Sequence, residues 1–396
     1  MKLLHTSDWH LGQSFMGKSR EEEHKAFLAW LLETIEDNRI ELLIIAGDIF
    51  DTATPPNYAL EIYYNFLKQL SHIETLHSTI IVAGNHDSVA TLKAPKQLLK
   101  VLNVHVLTNG GDEEDVLIPI VQNSELRAIV CAVPFLRDAV IRKAVSGETI
   151  SEKEQMVNKG IRAYYENVYH KALKLKADKS VPVIATGHLT TVGSRSSESE
   201  RDIYIGGTLD IAGDYLGKLF DYVALGHLHM NQMVGVNHVR YSGSPIPLSF
   251  SEANHTHKVN VVKVEANEVV VEAVDIPLYR ELVLLRGNEK QISQALQAIE
   301  NRHCWIEVHL DDDNPMYANE SIRTLASELG LMLLAVKIEK REKELQAKEM
   351  NAISLDDLSV EEVFKQRLAN EELDDVTLEQ DVLNCFNNVY QRVQNR

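Results

Sequence analysis

Apolar residues in this chain come largely in short unbroken runs. Residues 2–10 (KLLHTSDWH), 41–48 (ELLIIAGD), 78–86 (STIIVAGNH), 182–188 (PVIATGH) and 221–229 (DYVALGHLH) each open apolar and end polar. Continuous Ile, Val and Leu runs of this length predict strands buried on both faces. After each of the first three comes a stretch with helical spacing, residues 20–38, 57–70 and 94–102. That β-α-β rhythm predicts a largely parallel sheet. Residues 235–243 and 257–277 alternate instead. They predict antiparallel strands, with a hairpin turn at Ala266 and Asn267, forming a second sheet packed on the first. The expected class is α/β, a two-sheet β-sandwich flanked by helices.

After Pro277 the pattern changes. Residues 280–287, 289–302, 305–310, 319–330 and 333–342 predict a small β-α-β-α-β unit without polar strand endings. From about Lys340 the chain turns charged and helical. Ser359 and Glu362 make a capping box before a stripe of Val360, Val363, Phe364 and Leu368, and a second helix is expected over residues 381–393. The chain therefore divides into residues 1–277, 278–340 and 341–396.

In parallel sheets ligands bind beyond the carboxyl ends of the strands. The five polar endings fall on that edge and carry Asp8, His10, Asp48, Asn85, His86, His188, His227 and His229. One Gly-Asp or Gly-His ending is an ordinary turn, and His72, His77, His170, His238, His255 and His257 read as surface or loop residues. The same ending five times, four of them with a glycine just before the first polar residue, points to a metal centre. Asp8, His10, Asp48, Asn85, His188, His227 and His229 offer carboxylate, amide and imidazole without thiolate. That donor set suits Mn²⁺, Fe²⁺ or Mg²⁺ rather than structural zinc. Seven ligands exceed the needs of one ion with an open position, whereas two ions sharing a carboxylate would use them all. Such pairs, about 3.5–4 Å apart, recur in phosphatases, nucleases and aminopeptidases. His86, adjacent to Asn85, is left for proton chemistry. Asp51 reads either as the partner that orients His86 or as a cap before residues 52–56 (TATPP).

One motif competes. Residues 12–19, GQSFMGKS, fit the phosphate-loop pattern G-x-x-x-x-G-K-[ST]. Four residues separate them from the strand, Phe15 and Met16 are bulky where an anion would be wrapped, and the next helix opens with Glu21, Glu22 and Glu23. Lys18 and Arg20 are better read as solvated loop residues within reach of a substrate backbone.

Forty Lys and Arg against 58 Asp and Glu leave a formal net charge of −18. This predicts weak DNA binding by the chain alone, although bound cations would offset acidic ligands locally. Cys131, Cys304 and Cys385 are scattered, as expected of a reducing, cytoplasmic compartment, and no apolar run is long enough to cross a bilayer.

In order along the chain, D-x-H, GD-x-x-D, GNHD, GH and GHLH resemble the calcineurin-like metallophosphoesterases. Residues 9–12 (WHLG), GDIFDTATPP, GNHDS, GHLTTVG, RDIYIGG, ALGHLH, VRYSGSPIPLSFSE and LSVEEVFKQRL narrow the likeness. They resemble the nuclease subunits of the SbcCD family of double-strand-break repair nucleases. The resemblance implies that Asp8, His10, Asp48 and His229 hold one ion, and Asp48, Asn85, His188 and His227 the other. His86 would contact the scissile phosphate or protonate the leaving oxygen, with Asp51 as its partner. It implies a Mn²⁺-dependent double-strand exonuclease that also acts as a single-strand and hairpin endonuclease in DNA repair and recombination. It further implies a capping domain that positions DNA, a homodimer within a heterotetramer, and an SbcC-type ABC ATPase partner with coiled coils on which the C-terminal helices dock. A helix bundle through Tyr58, Ile62, Phe66, Leu70, Leu98, Leu99 and Leu102 would join the two nuclease copies, although such stripes are usually core. A two-metal enzyme for nucleotides or phosphoproteins is the alternative, weakened because GDIFD lacks the Arg-Gly of protein phosphatases.

Overall fold

The computed structural model describes residues 1–111, 115–141, 150–196, 200, 211–265, 268–338, 382 and 386. The capping box at Ser359 and the stripe behind it lie outside the described residues, as does most of the segment from residue 341.

The first half runs β1 (Lys2–Thr6), a small hairpin of β2 (Ser14–Phe15) and β3 (Lys18–Ser19), α1 (Glu21–Asp37), β4 (Leu42–Ala46), α2 (Asn57–Leu70), β5 (Ser78–Val82), α3 (Val89–Lys93), α4 (Lys96–Val101) and β6 (Val104–Leu107). Next come β7 (Leu117–Gln122), β8 (Glu125–Cys131), α5 (Asp138–Ile141), α6 (Ile150–Lys176), β9 (Val183–His188), α7 (Gly213–Leu219), β10 (Tyr222–Gly226), β11 (Gln232–Val234), β12 (Val236–Tyr241), β13 (Lys258–Glu265) and β14 (Glu268–Asp275). One six-stranded sheet has the order β14-β13-β1-β4-β5-β6, and the other β11-β12-β10-β9-β8-β7. The ligand-bearing strands are parallel within each sheet, three in the first and two in the second.

The second sheet is therefore not the one expected from residues 235–275. Of those residues only β12 enters it, beside β11, while β13 pairs antiparallel with β1 and extends the first sheet. Without β13, the free edge of β1 would leave the peptide groups of a buried strand unpaired.

Alternate residues on one strand serve different apolar layers, which accounts for the unbroken runs. Leu4, Leu43, Ile45 and Ile81 pack with Phe27, Leu31 and Phe66 of the outer helices α1 and α2. Their neighbours Leu3, Ile44, Ile80 and Val82 meet Val130, Ile184 and Ala224 of the opposite sheet. Val223 and Leu225 turn away towards Ile161, Tyr165 and Val168 of α6. His5 shares the inter-sheet face with Leu3. Its Nε2 lies 3.1 Å from the Leu225 carbonyl and its Nδ1 2.9 Å from the Tyr222 hydroxyl. A carbonyl only accepts, so Nε2 donates and Nδ1 takes the phenol proton. Burial pushes the His5 pKa down to about 3, so this link between sheets stays neutral.

Beyond Pro277 the predicted β-α-β-α-β unit is present: β15 (Leu282–Gly287), α8 (Glu289–Ala298), β16 (Trp305–Leu310), α9 (Pro315–Glu328) and β17 (Met332–Ile338), in one parallel sheet. It has its own core around Ile292, Leu296, Ile306, Val308 and Ile322. A seam ties it to the two-sheet part, where Leu282 and Trp305 pack with Phe15 and Phe250.

Arg20 fills that seam, contrary to its reading as a solvated residue. It is fully buried, with its guanidinium 5.1 Å from the Phe15 ring and 5.3 Å from that of Trp305. Nη2 lies 2.6 Å from Glu23 Oε1, and Nη1 donates to the Pro247 carbonyl at 2.8 Å. GQSFMGKS is thus a hairpin that turns through Met16 and Gly17, both at positive φ, and pairs Phe15 with Lys18. Lys18 is exposed as expected. His257 is also buried rather than superficial, with Nδ1 2.8 Å from the Ser244 carbonyl. Ile62, Phe66, Leu70 and Leu99 are core, Tyr58 is half-buried, and Leu98 and Val101 stand 70% and 78% exposed. Among the described residues no helix is long and apolar enough to cross a membrane.

Removing Arg20 strands the Glu23 carboxylate in the interior, a change that costs about 3–5 kcal/mol at buried pairs. Arg280 stands 4.0 Å from Glu23 and offsets part of this. Arg20→Ala should therefore cost about 3 kcal/mol in urea unfolding of the chelator-treated chain, the low end of that range. A loss below about 1 kcal/mol would remove the ion pair from the account of the seam.

Candidate metal centre

The carboxyl ends of β1, β4 and β5 from one sheet meet those of β9 and β10 from the other. Two glycines permit this approach. A side chain on Gly47, at φ +96°, would start 2.2 Å from His188 Nδ1, and one on Gly226 would start 1.9 Å from the Ala46 carbonyl. The ligand backbones are themselves forced into left-handed conformations: Asp8 at φ +53°, His10 at +46°, Asp48 at +48° and His227 at +103°. Each such residue costs on the order of 1–3 kcal/mol and persists where its surroundings over-determine it. Here Asp8 N donates to the Gly47 carbonyl and His10 N to the Asp48 carbonyl, both at 3.0 Å, while His227 N donates to Asp8 Oδ1 at 2.9 Å.

Three sets of donor atoms, each within 4.8 Å of one another, result: Asp8, His10 and His229; Asp48, His188 and His227; and His10, Asp51 and His86. Asn85 joins the second set, its Oδ1 3.0 Å from His188 Nε2. Asp48 stands between the first two, with Oδ2 3.2 Å from His188 Nε2 and 3.8 Å from His10 Nε2. The structure thus gathers all seven expected ligands, with His86 beside them.

Tautomers test whether cations fit. His188 Nδ1 donates to the Ala46 carbonyl at 2.9 Å, so the neutral ring aims the Nε2 lone pair at two acceptor oxygens, on Asp48 and Asn85. Lone pairs facing one another call for positive charge between them, a proton on Nε2 in the metal-free chain or a metal cation in its place. His10 Nδ1 lies 3.1 Å from Asp51 Oδ1, while its Nε2 is buried without a hydrogen-bond partner. Both rings are oriented as metal-binding histidines usually are, with the outer nitrogen tied to an oxygen. The residues fit a pair of divalent ions.

The electrostatics describe the same need. Burial pushes the Asp8 pKa up, and the Asp48 charge adds to that effect against nearby histidines. Burial would raise Asp48 too, but the His188 charge and hydrogen bond, with His10 and His86, hold it well below the usual carboxylate range. Burial opposes charge on His188 and His229, yet their carboxylate partners, Asp48 and Glu252, push each to about 9. For His227 the balance reverses. Burial, followed by the His188 charge, outweighs the pull of Asp48 and takes it down to about 3.

Asp51 differs from the expected arrangement. Its carboxylate serves His10, and its main-chain carbonyl accepts from His86 Nδ1 at 2.7 Å. It does not cap a helix either, because α2 begins at Asn57 with Pro56 before it. Burial favours its neutral form, but the hydrogen bond from His10 outweighs this and lowers its pKa.

Three supporting residues escaped the sequence reading. Asp87 accepts from the main-chain N–H groups of Ile49, Phe50 and Gly84, at 3.2, 3.0 and 2.8 Å, and so ties the Asp48 and Asn85 loops together. Burial and the Asp48 charge push its pKa up to about 6. Its position directly after GNH was the available signal. Ser7 donates to Asp8 Oδ2 at 2.6 Å. Glu252, in the loop expected to border the groove, reaches His229 Nδ1 at 3.4 Å, and no spacing announced it.

Comparison with known proteins agrees with this geometry. A family model described as calcineurin-like phosphoesterase matches residues 1–231, and one described as type 5 capsule protein repressor C-terminal domain (SbcD_C) matches residues 278–372. The chain is 39% identical to the SbcD subunit of the SbcCD nuclease of Escherichia coli strain K12 over 382 residues, covering 95% of this chain and 94% of that protein. It is 36% identical to the SbcD subunit of Rhodobacter capsulatus, covering 72% of this chain and 71% of that protein. The SbcD subunit of Bacillus subtilis strain 168 is 29% identical, with 90% of this chain and 91% of that protein covered. By motif, fold and relatives alike, the chain belongs to the calcineurin-like phosphoesterases, in the family of the SbcD subunits of SbcCD nucleases.

Proposed function

We propose that this chain is the nuclease subunit of a DNA end-processing complex, cutting phosphodiester bonds with two Mn²⁺ ions. The convergence of seven ligand side chains from two sheets carries this reading. Asp8, His10, Asp48 and His229 would hold one ion, and Asp48, Asn85, His188 and His227 the other. Four imidazoles beside carboxylates and an amide suit Mn²⁺ better than Mg²⁺, which prefers oxygen donors and retained waters. When bound, such paired ions activate water and neutralise charge on the phosphoryl oxygens.

The protein's own part falls first to His86. Nδ1 donates to the Asp51 carbonyl, so Nε2 is the nitrogen that exchanges a proton with substrate. Water adds to phosphorus and gives up one proton to solvent, and the P–O bond to the leaving nucleoside breaks. His86, entering with a proton on each ring nitrogen, gives that oxygen its Nε2 proton and regains one from solvent. The His86 and His10 rings lie 4.9 Å apart, which keeps the proton donor beside the ligands. Asp51 is a positioning residue, holding Nδ1 of His10 with its carboxylate and His86 with its carbonyl.

The residue 278–338 unit, seated on the seam, would position DNA, and the segment from 341 would dock an SbcC-type ABC ATPase with coiled coils. Exposed Leu98, Val101 and Leu102 on and beside α4 support a homodimer within a heterotetramer. The buried free thiols Cys131 and Cys304 support a reducing, cytoplasmic setting.

The purified chain with Mn²⁺ should cut end-labelled single-stranded DNA without ATP, and lose the activity to a chelator. His86→Ala should cut about 10²–10⁴-fold more slowly while retaining both ions. Cutting by the variant at the wild-type rate would remove His86 from the mechanism. Asp51→Asn separates the two roles of that residue, because the backbone carbonyl on His86 survives the change. Its Mn²⁺ affinity, measured by calorimetry, should fall about 10–100-fold. Unchanged affinity with slowed cleavage would return the Asp51 carboxylate to His86.

A further inference from the structure

The resemblance and the motif spacing leave Glu252 without a role, yet it is among the most deeply buried acids in the chain, 1% exposed. An acid in such a place needs partners on both oxygens. Oε2 accepts from Leu248 N at 2.9 Å, and Oε1 faces His229 Nδ1 at 3.4 Å and the Ser249 hydroxyl at 3.5 Å. The loop that carries Glu252 is clamped at both sides: Arg20 donates to Pro247 O, and Phe250 packs in the seam with Phe15 and Trp305. The carboxylate is therefore delivered to His229 by a rigid loop rather than by a side chain free to wander.

We propose that Glu252 is the positioning residue for the ion held by Asp8, His10 and His229. Its Oε1 takes the Nδ1 proton of His229, which fixes the tautomer, directs the Nε2 lone pair at the ion and raises the basicity of the ring. Each of the two ions then has a histidine anchored from behind by an oxygen outside the ligand set. For one it is His188 on the Ala46 carbonyl, and for the other it is His229 on Glu252, with His10 on Asp51 beside it. The Glu252 anchor differs because it comes from residues 242–252, the loop that also meets the capping unit. This inference rests on the two-ion reading.

The test is Mn²⁺ binding to the full metal-free chain, counted by calorimetry and by the electron paramagnetic resonance signal of free Mn²⁺. Glu252→Gln keeps size, but its single carbonyl oxygen can serve either His229 or Leu248, and its amide turns a donor on the other. The wild type should take up two ions, and Glu252→Gln should bind one with unchanged affinity and the other about 10–100-fold more weakly. Glu252→Asp keeps the charge but withdraws it by one methylene, and should weaken the same ion to a lesser degree. It also supplies the answer if the glutamine variant does not fold. Two ions bound with wild-type affinities in both variants would overturn the assignment. So would equal weakening of both ions, which is the mark of a merely structural role. A wild-type chain that takes up fewer than two ions would overturn the two-ion reading itself, and this inference with it.

Discussion

Two carboxylates buried in one centre, Asp8 and Asp48, set the terms for what surrounds them. Both are almost wholly out of water, and the charge of Asp48 works against ionisation of Asp8. Such a pair is costly unless positive charge stands close by. In the metal-free chain protons on His188 and His229 supply part of it, and an ion that displaces them meets the lone pair each ring then offers inward. What completes the arrangement is a cation at each cluster, and the strained backbones of Asp8, His10 and Asp48 hold the donors in readiness for it. Metal affinity here is therefore a property of the sheet ends, prepared by strand pairing before any ion arrives.

That preparation depends on two sheets staying in register. Three ligand strands belong to one sheet and two to the other, so a slip between layers would divide the centre. His5 resists it by spanning from β1 to Tyr222 and Leu225 of β10. Gly47 and Gly226 allow the strand ends to touch where any side chain would wedge them apart. Polar bonds deep in an apolar layer contribute little net stability, but they specify one alignment out of several that the hydrophobic faces would accept.

Much of this was legible along the chain. Unbroken apolar runs ending in Asp, Asn or His identify the ligand strands, because burial on both faces and chemistry at the tip are local properties. The β-α-β-α-β unit beyond Pro277 was legible for the same reason, its helices and strands being short-range patterns. Sheet membership was not: β13 could serve either sheet by its alternation, and the need to cover the edge of β1 decided it. Asp51 was visible as an acid beside the site, but its choice between His10 and His86 turns on a rotation that spacing cannot express. Glu252 stood at the end of the VRYSGSPIPLSFSE stretch, but nothing there indicated its contact with His229, which is made by a loop folding back.

The stretch GQSFMGKS shows how a local pattern misleads when its use is tertiary. Its glycines and lysine match a phosphate loop, yet the residue that matters lies one step beyond, where Arg20 joins Pro247 across 227 residues of sequence. From there the contacts run through Phe15 and Phe250 to the loop of Glu252, and so to His229. On the other side they reach Trp305 of β16. One continuous set of packed side chains thus joins the part expected to position DNA to His229 of the clustered donors. Contiguity alone is not a switch, which requires an element with two arrangements. It does mean that whatever moves the residue 278–338 unit must either break this seam or carry the Glu252 loop with it.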